Sequence, residues 1–388
     1  MSTDIGERAA RLIWDVLQID DEWAVETSRG FWWWAHDVAQ EVVARKPEPL
    51  EGDGEPGARV VVRTPILSRP SAGKPAVLRA LAVMNGCSTG GALRQAADGT
   101  IVHELAATVT DETVEGLSRL LATGAILALT EGVEAAEALA PALGARVQRS
   151  VHPTRGSRRD RDDILNVTDA IVLPTGRGPS RWAGAAELFA SAARTLNKSG
   201  RAYAADEEGE HGLLCEFGFG DHQTSLAMVV PSDEDGCAPA GPGLPGAGPD
   251  PRLGAGMLGW LLLPGVLPPE AGAETADRLN RREGDPGPDA GFMPYHLGAW
   301  TLWNPDGRCT VAYRVFVPNV LAGLVTPISL AENLWLHGTL ASEELLPDEV
   351  QLEGDHLYDF LMRRIDALAD GRGLAADGHA SRAPGGRS

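Results

Sequence analysis

The sequence predicts an α+β fold built from two tandem copies of one unit, each reading α-β-β-β-α-β-β-α with an antiparallel sheet covered by helices. The main ground is an internal repeat. Val83-Met84-Asn85, Gly91-Ala92-Leu93, the turn Asp98-Gly99, a strand from Ile101 to Val109 and a helix from Glu112 recur later in the chain. There they become Arg278-Leu279-Asn280, Gly298-Ala299-Trp300, Asp306-Gly307, Cys309 to Val317 and a helix from about Pro327. Strands also come in runs before each helix, which is the signature of α+β rather than of a doubly wound sheet. Finally, 388 residues exceed what one small core organises. The predicted units are 1–145 and 179–346, joined by a linker at 146–178. A C-terminal helix at 347–371 and a disordered tail at 372–388 follow.

In chain order, Asp4 to Leu17 carries Ile5, Ala9, Leu12, Ile13 and Val16 on one helical stripe. Glu22 to Ser28, the run Phe31-Trp32-Trp33-Trp34, Val38 to Ala44 and Ala58 to Leu67 read as a meander. Lys74 to Asn85 is helical. Alternation from Ile101 to Val109 places His103 on a buried face. Thr113 to Thr123 and Ala125 to Leu143 supply two closing helices. In the second copy Ser180 to Asn197 is an Ala-rich helix, followed by strands at 200–206, 213–220 and 225–231. Met257 to Leu263 is ambiguous between strand and buried turn. Glu270 to Arg282 is helical, Leu297 to Trp303 and Arg308 to Val317 form a hairpin, and Ile328 to Ala341 closes the copy. Ser232 to Arg252 is a Pro/Gly loop. Asp355 to Ala369 reads as an amphipathic helix.

A net charge of −20 disfavours nucleic acid and anionic membranes as partners, because both repel an acidic chain at long range. The one basic run, Arg146 to Arg161, is followed by Asp162 and Asp163 and reads as a solvated linker. No signal segment or membrane span is expected, so the expected location is the cytoplasm. Cys87, Cys215, Cys237 and Cys309 form no CxxC pair, so neither structural zinc nor a disulfide framework is expected. Only three of the 34 basic residues are lysine, a bias that fits a high-GC bacterial genome such as an actinobacterial one.

No catalytic constellation, cofactor site or metal site accompanies the repeat. Gly254 to Gly259 matches GxGxxG but lacks the preceding strand that a pyrophosphate loop needs. His103-Glu104 begins a zinc-protease motif, yet Ala107 stands where the second ligand belongs. Cys87 sits in a Gly-rich stretch that could hold a nucleophile, but it follows a helix, and the second copy has no equivalent thiol. The aromatic residues remain. Neighbours on a strand face opposite ways, so Trp32, Trp33 and Trp34 cannot all enter one core. One side must meet a second layer or a partner, and Trp is enriched at binding hot spots. The candidate partner-binding residues are therefore Trp32, Trp33, Trp34, Trp303 and Phe360, against the alternative that the rest of the chain buries them. The expectation is that Trp33→Ala keeps the fold and weakens partner capture, whereas loss of cooperative unfolding would mark Trp33 as core.

The order of elements resembles the YbjN-like and type III secretion chaperone-like superfamily, including its actinobacterial TY-Chap branch. The residues that carry the likeness are Leu279-Asn280, His296 to Trp300, Asp306-Gly307 and Phe316 to Asn319, with Gly30 to Trp34 and Ala39-Gln40 in the first copy. The first copy departs from the pattern, with Leu93 in place of Trp300 and Thr110-Asp111 in place of Pro318-Asn319. The resemblance implies a non-catalytic chaperone-like or adaptor protein that binds a protein partner, and the TY-Chap branch implies a place in a multi-protein bacterial conflict system. It also suggests a monomer in which the two copies form an internal pseudo-dimer, a homodimer being the alternative. The competing function is an enzyme or small-ligand sensor with its site in the interdomain cleft. A cleft lined by converging charges favours that reading, and an exposed strand edge or aromatic face favours the adaptor.

Overall fold

The computed structural model describes residues 4–35, 38–50, 55–88, 90–158, 179–184, 186–197, 201–207, 210–219, 223–232, 255–264, 267–284, 295–303 and 310–344. The first half holds α1 (Ile5–Leu17), β1 (Ala24–Thr27), β2 (Gly30–Trp34), β3 (Ala39–Ala44), β4 (Glu48–Pro49), β5 (Pro56–Ser68), α2 (Lys74–Asn85), β6 (Ala92–Gln95), β7 (Ile101–Val109), α3 (Val114–Leu143) and β8 (Arg146–Val147). The second half holds α4 (Ala186–Leu196), β9 (Arg201–Glu207), β10 (Glu210–Phe219), β11 (Gln223–Ser232), β12 (Gly256–Leu262), α5 (Pro269–Gly284), β13 (Tyr295–His296), β14 (Ala299–Trp303), β15 (Thr310–Pro318) and α6 (Pro327–Glu344). The protein is mixed α+β with two antiparallel sheets. The predicted C-terminal helix with Phe360, the tail, most of the Ser232 to Arg252 loop and the linker beyond 158 lie outside the described residues.

Leaving out the two-residue β4, four strands, not three, precede the second helix of each half. In the second half the extra strand is β12, at the apolar run that was ambiguous in sequence. It lies between β11 and β15, so both its edges are paired, and burial on both faces erases the period of two. Setting aside the two-residue strands, one sheet runs β1-β2-β3-β5-β7-β6 and the other β9-β10-β11-β12-β15-β14. The succession of helices and strands is the same in both.

The first helix starts where its cap predicts, with Asp4 Oδ1 accepting from the Glu7 amide at 3.0 Å. The two predicted closing helices are one 30-residue helix, α3. Gly124 reads as a breaker but acts as a packing residue, since a side chain there would collide with Leu105. By length and composition α3 could cross a membrane, yet it is packed against α1, β5 and β7, and most of its apolar window is buried.

β7 is buried along its whole length, a departure from the expected single buried face. Leu105, Ala107 and Val109 pack with α1 and α3 in the main core. The opposite face, with Glu104 and Thr108, meets the C-terminal end of α5. β13 also adds to the far end of β7, Tyr295 against Ala107 and His296 against Ala106, so the second half extends the first sheet. One contiguous apolar cluster draws on both halves, from Ile5 to Ala341.

Candidate functional site

The repeated motif is a clamp. In the first half Asn85, the last residue of α2, accepts from the Leu93 amide at 2.7 Å and donates to the Leu93 carbonyl at 3.0 Å. In the second, Asn280 of α5 accepts from the Trp300 amide at 2.8 Å and donates to its carbonyl at 2.9 Å. A carboxamide is the side chain that offers an acceptor and two donors to one residue's backbone. The glycine two positions before the clamped residue is required as well. A side chain on Gly91 would strike the Glu104 carbonyl, and one on Gly298 the Arg314 carbonyl, at matching points of the two hairpins.

Three residues beyond each Asn, a backbone carbonyl receives a buried arginine from the other half. Arg314 of β15 donates to the Ser88 carbonyl at 2.8 Å, and Arg59 of β5 donates to the Glu283 carbonyl. The Glu283 carbonyl lies at the C-terminal end of α5, where the helix dipole favours a cation. Thr301 of β14 also donates to the Ala82 carbonyl at 2.7 Å, and Leu302 packs on Leu78, Ala82 and Ala273. The seam between α2, α5, β6 and β14 thus carries bonds in both directions.

At the seam's centre Glu283 is fully enclosed. Its Oε1 accepts from Trp300 Nε1 at 2.7 Å and pairs with His337 Nδ1 at 2.7 Å, while Oε2 lies 3.2 Å from His296 Nε2. His337 is stacked on Tyr313 and bonded to Asn333, which holds the Tyr295 carbonyl. Burial works against the carboxylate, but the neighbouring histidines and Trp300 hold Glu283 below the ordinary Glu range. Burial drives His296 down to about 4.

The first half carries a different cluster. Ser88 Oγ lies 2.6 Å from the Gly91 carbonyl, 3.2 Å from His103 Nε2 and 3.2 Å from Glu131 Oε2. His103 Nδ1 faces the Ala128 carbonyl at 2.8 Å. This has the residue types of a hydrolase triad. The hydroxyl's single proton, however, has its closest acceptor in Gly91, the carboxylate meets the hydroxyl rather than Nδ1, and Ser88 and His103 are both buried. The cluster therefore closes the α2–β6 junction instead of presenting a nucleophile.

Cys87, in the same stretch, is disulfide-bonded, with its partner outside the described residues, and Cys215 is a free buried thiol. This single bond is not the framework that the cysteine spacing argued against, and it removes Cys87 from the candidate nucleophiles.

The tryptophans divide as strand alternation requires. Trp33 packs on both the main core and the Ala35–Val38–Leu129 cluster, and its indole N–H donates to Gln40 at 3.1 Å. Trp34 is buried under the segment after β8, edge-on to His152 and 3.3 Å from Ser150 Oγ. Trp32 is half-buried, opposite exposed Val25 of β1. Trp303 is half-buried against Leu214, Leu226 and Leu262. With Trp33 partly in the core, Trp33→Ala is expected to lower stability by about 2 kcal/mol.

Between α2 and α5 lies a cleft of 690 Å³, lined by Lys74 and Leu78 of α2, Arg94 of β6 and the Glu274 to Arg282 face of α5. Sequence reading missed it because its charges come from three separate segments. No group of three or more His, Cys, Asp or Glu suited to a metal occurs among the described residues. Comparison with protein families, curated proteins and solved structures finds no match for this chain.

Proposed function

We propose that this chain is a non-catalytic chaperone-like or adaptor protein, made of two tandem copies of one α+β unit packed as an internal pseudo-dimer. Shared strand order, paired Asn clamps and crossed arginine bonds support the duplication. They also account for most of the ionisable groups near the motif as parts of a seam. The observation that carries partner binding is the outer edge of β1. Among the described residues that strand is paired on one side only, by β2, and it exposes Val25 beside half-buried Trp32. An extended segment of a partner can add to such an edge, with backbone hydrogen bonds supplying affinity and Val25 and Trp32 supplying apolar contact. The resemblance to secretion chaperones and the TY-Chap branch agrees with this use.

The test is affinity capture from the native host, followed by mass spectrometry, with wild type, Val25→Glu and Trp32→Ala. A partner held by the wild type and lost from both variants, at unchanged unfolding midpoint for Val25→Glu, is the expected result. An identical capture profile for all three proteins overturns the edge as the binding surface. Light scattering is expected to show a monomer, and a stable dimer at low micromolar concentration defeats the pseudo-dimer. A second reading, a small-ligand sensor, is favoured by one observation, the charged cleft between the halves.

A further inference from the structure

An overall charge of −20 makes the lining of the α2–α5 cleft anomalous. Lys74, Arg94, Arg278, Arg281 and Arg282 converge there against two carboxylates, Glu274 and Asp277. Some of this charge is already matched. Arg94 gives Nε and Nη2 to Glu104 at 2.9 and 2.6 Å, and Arg281 lies 2.8 Å from Asp277. What remains is donor capacity. Among the described residues Nη1 of Arg94, both Nη groups of Arg281 and the ammonium of Lys74 make no hydrogen bond.

One polar atom of the lining is also buried without a partner. Arg281 Nε is paired with Asp277 Oδ2 at 2.8 Å, and Asp277 Oδ1 is left without a hydrogen bond. Orphaned buried polar atoms are costly, and in a cleft they mark where a ligand's groups would go. Guanidinium forks match phosphate oxygens. Asp277 Oδ1, by contrast, needs a donor, which a phosphate dianion lacks. The volume falls within the range of about 300–1,000 Å³ usual for small-ligand sites.

We infer that this cleft binds a small phosphate ester that also carries hydroxyl groups, of mononucleotide size, with Arg94, Arg281 and Lys74 on the phosphate and Asp277 on a hydroxyl. The site is separate from the β1 edge, so a bound ligand and a captured partner are compatible. Because it lies between the halves, its occupant would tie α2 to α5.

Calorimetric titration of the full-length chain with ADP and with inorganic pyrophosphate tests this. The expected result is binding of ADP with a Kd below about 1 mM. Arg281→Gln is expected to weaken both ligands about tenfold, from the loss of a charged hydrogen bond. Lys74→Ala, a change at an exposed position that leaves folding intact, weakens both severalfold. Asp277→Asn weakens ADP and not pyrophosphate. No binding of either ligand at about 5 mM overturns the proposal. So does undiminished binding in Lys74→Ala and Arg281→Gln, which places the ligand elsewhere. Equal effects of Asp277→Asn on both ligands overturn the hydroxyl contact.

Discussion

Asn280→Ala is expected to lower the free energy of unfolding by about 3–5 kcal/mol. The change removes two hydrogen bonds and leaves the amide and carbonyl of Trp300 buried without partners, at about 1–3 kcal/mol each. Trp300 is completely buried, so water cannot replace the lost partners without opening the core. Its indole is also the donor to Glu283, which couples the clamp to the centre of the seam. Asn85→Ala should cost about 2–4 kcal/mol by the same mechanism at Leu93, a smaller side chain with no polar bond of its own. Asn280→Asp separates the two bonds, because a carboxylate keeps the acceptor for the Trp300 amide but repels its carbonyl. Denaturant unfolding of the three variants measures these losses. A cost below about 1 kcal/mol for Asn280→Ala would show that the repeated Asn does not hold the hairpin.

These clamps show how much of the fold was legible in the sequence. Asn85 with Gly91 and Asn280 with Gly298 stood out because a backbone clamp and a close carbonyl approach each admit few residue types. The strand count was less legible for the opposite reason. Gly256 to Leu262 is buried except at half-buried Trp260 and carries no alternation, and Gly124 resembles a break when it is a point of close packing. Both faces of β7 are covered because the second half lies over Glu104 and Thr108, a tertiary fact that local periodicity does not contain.

The polar seam was harder still to read. Arg59 and Glu283 are 224 positions apart, and Arg314 and Ser88 are 226 apart. No local spacing relates them, and the two arginines occupy different positions in their sheets. The one sequence cue was negative. Both junctions place a polar residue, Ser88 or Glu283, three positions after the Asn, which local sequence does not distinguish from an exposed loop residue. Alternation required a second layer for Trp33 or for the pair flanking it, and the segment from Ser150 to Arg158 lies over Trp34 of that pair.

The second large effect is on acid stability, and His296 is its source. The imidazole is wholly buried and faces Glu283 and His337, with Arg59 and Glu104 on the first sheet and the Tyr313 ring nearby. Burial is the dominant influence and depresses its pKa to about 4, against 6.5 for the free side chain. Between those values the unfolded chain binds a proton that the folded chain refuses, so stability falls as pH falls through this window and is constant below it. The loss amounts to about 3 kcal/mol, at 1.36 kcal/mol per pH unit. Glu283 acts on lower ground. Its depressed pKa contributes stability that is present above the unfolded Glu value near 4.3 and is lost only as pH falls through the folded value beneath it. Urea unfolding at intervals from pH 7 to 4 should show the slope in the wild type and lose most of it in His296→Asn, with a residue from His103, whose pKa burial also lowers. There is a competing outcome with the opposite sign. Glu283 Oε2 and His296 Nε2 lie 3.2 Å apart, and neither has a hydrogen-bond partner, so a protonated imidazole could satisfy both. If that pairing outweighed the cost of burying a cation, stability would rise as pH falls from 6.5. Such a rise, abolished in His296→Asn, would show the seam closed by an ion pair instead of by neutral rings.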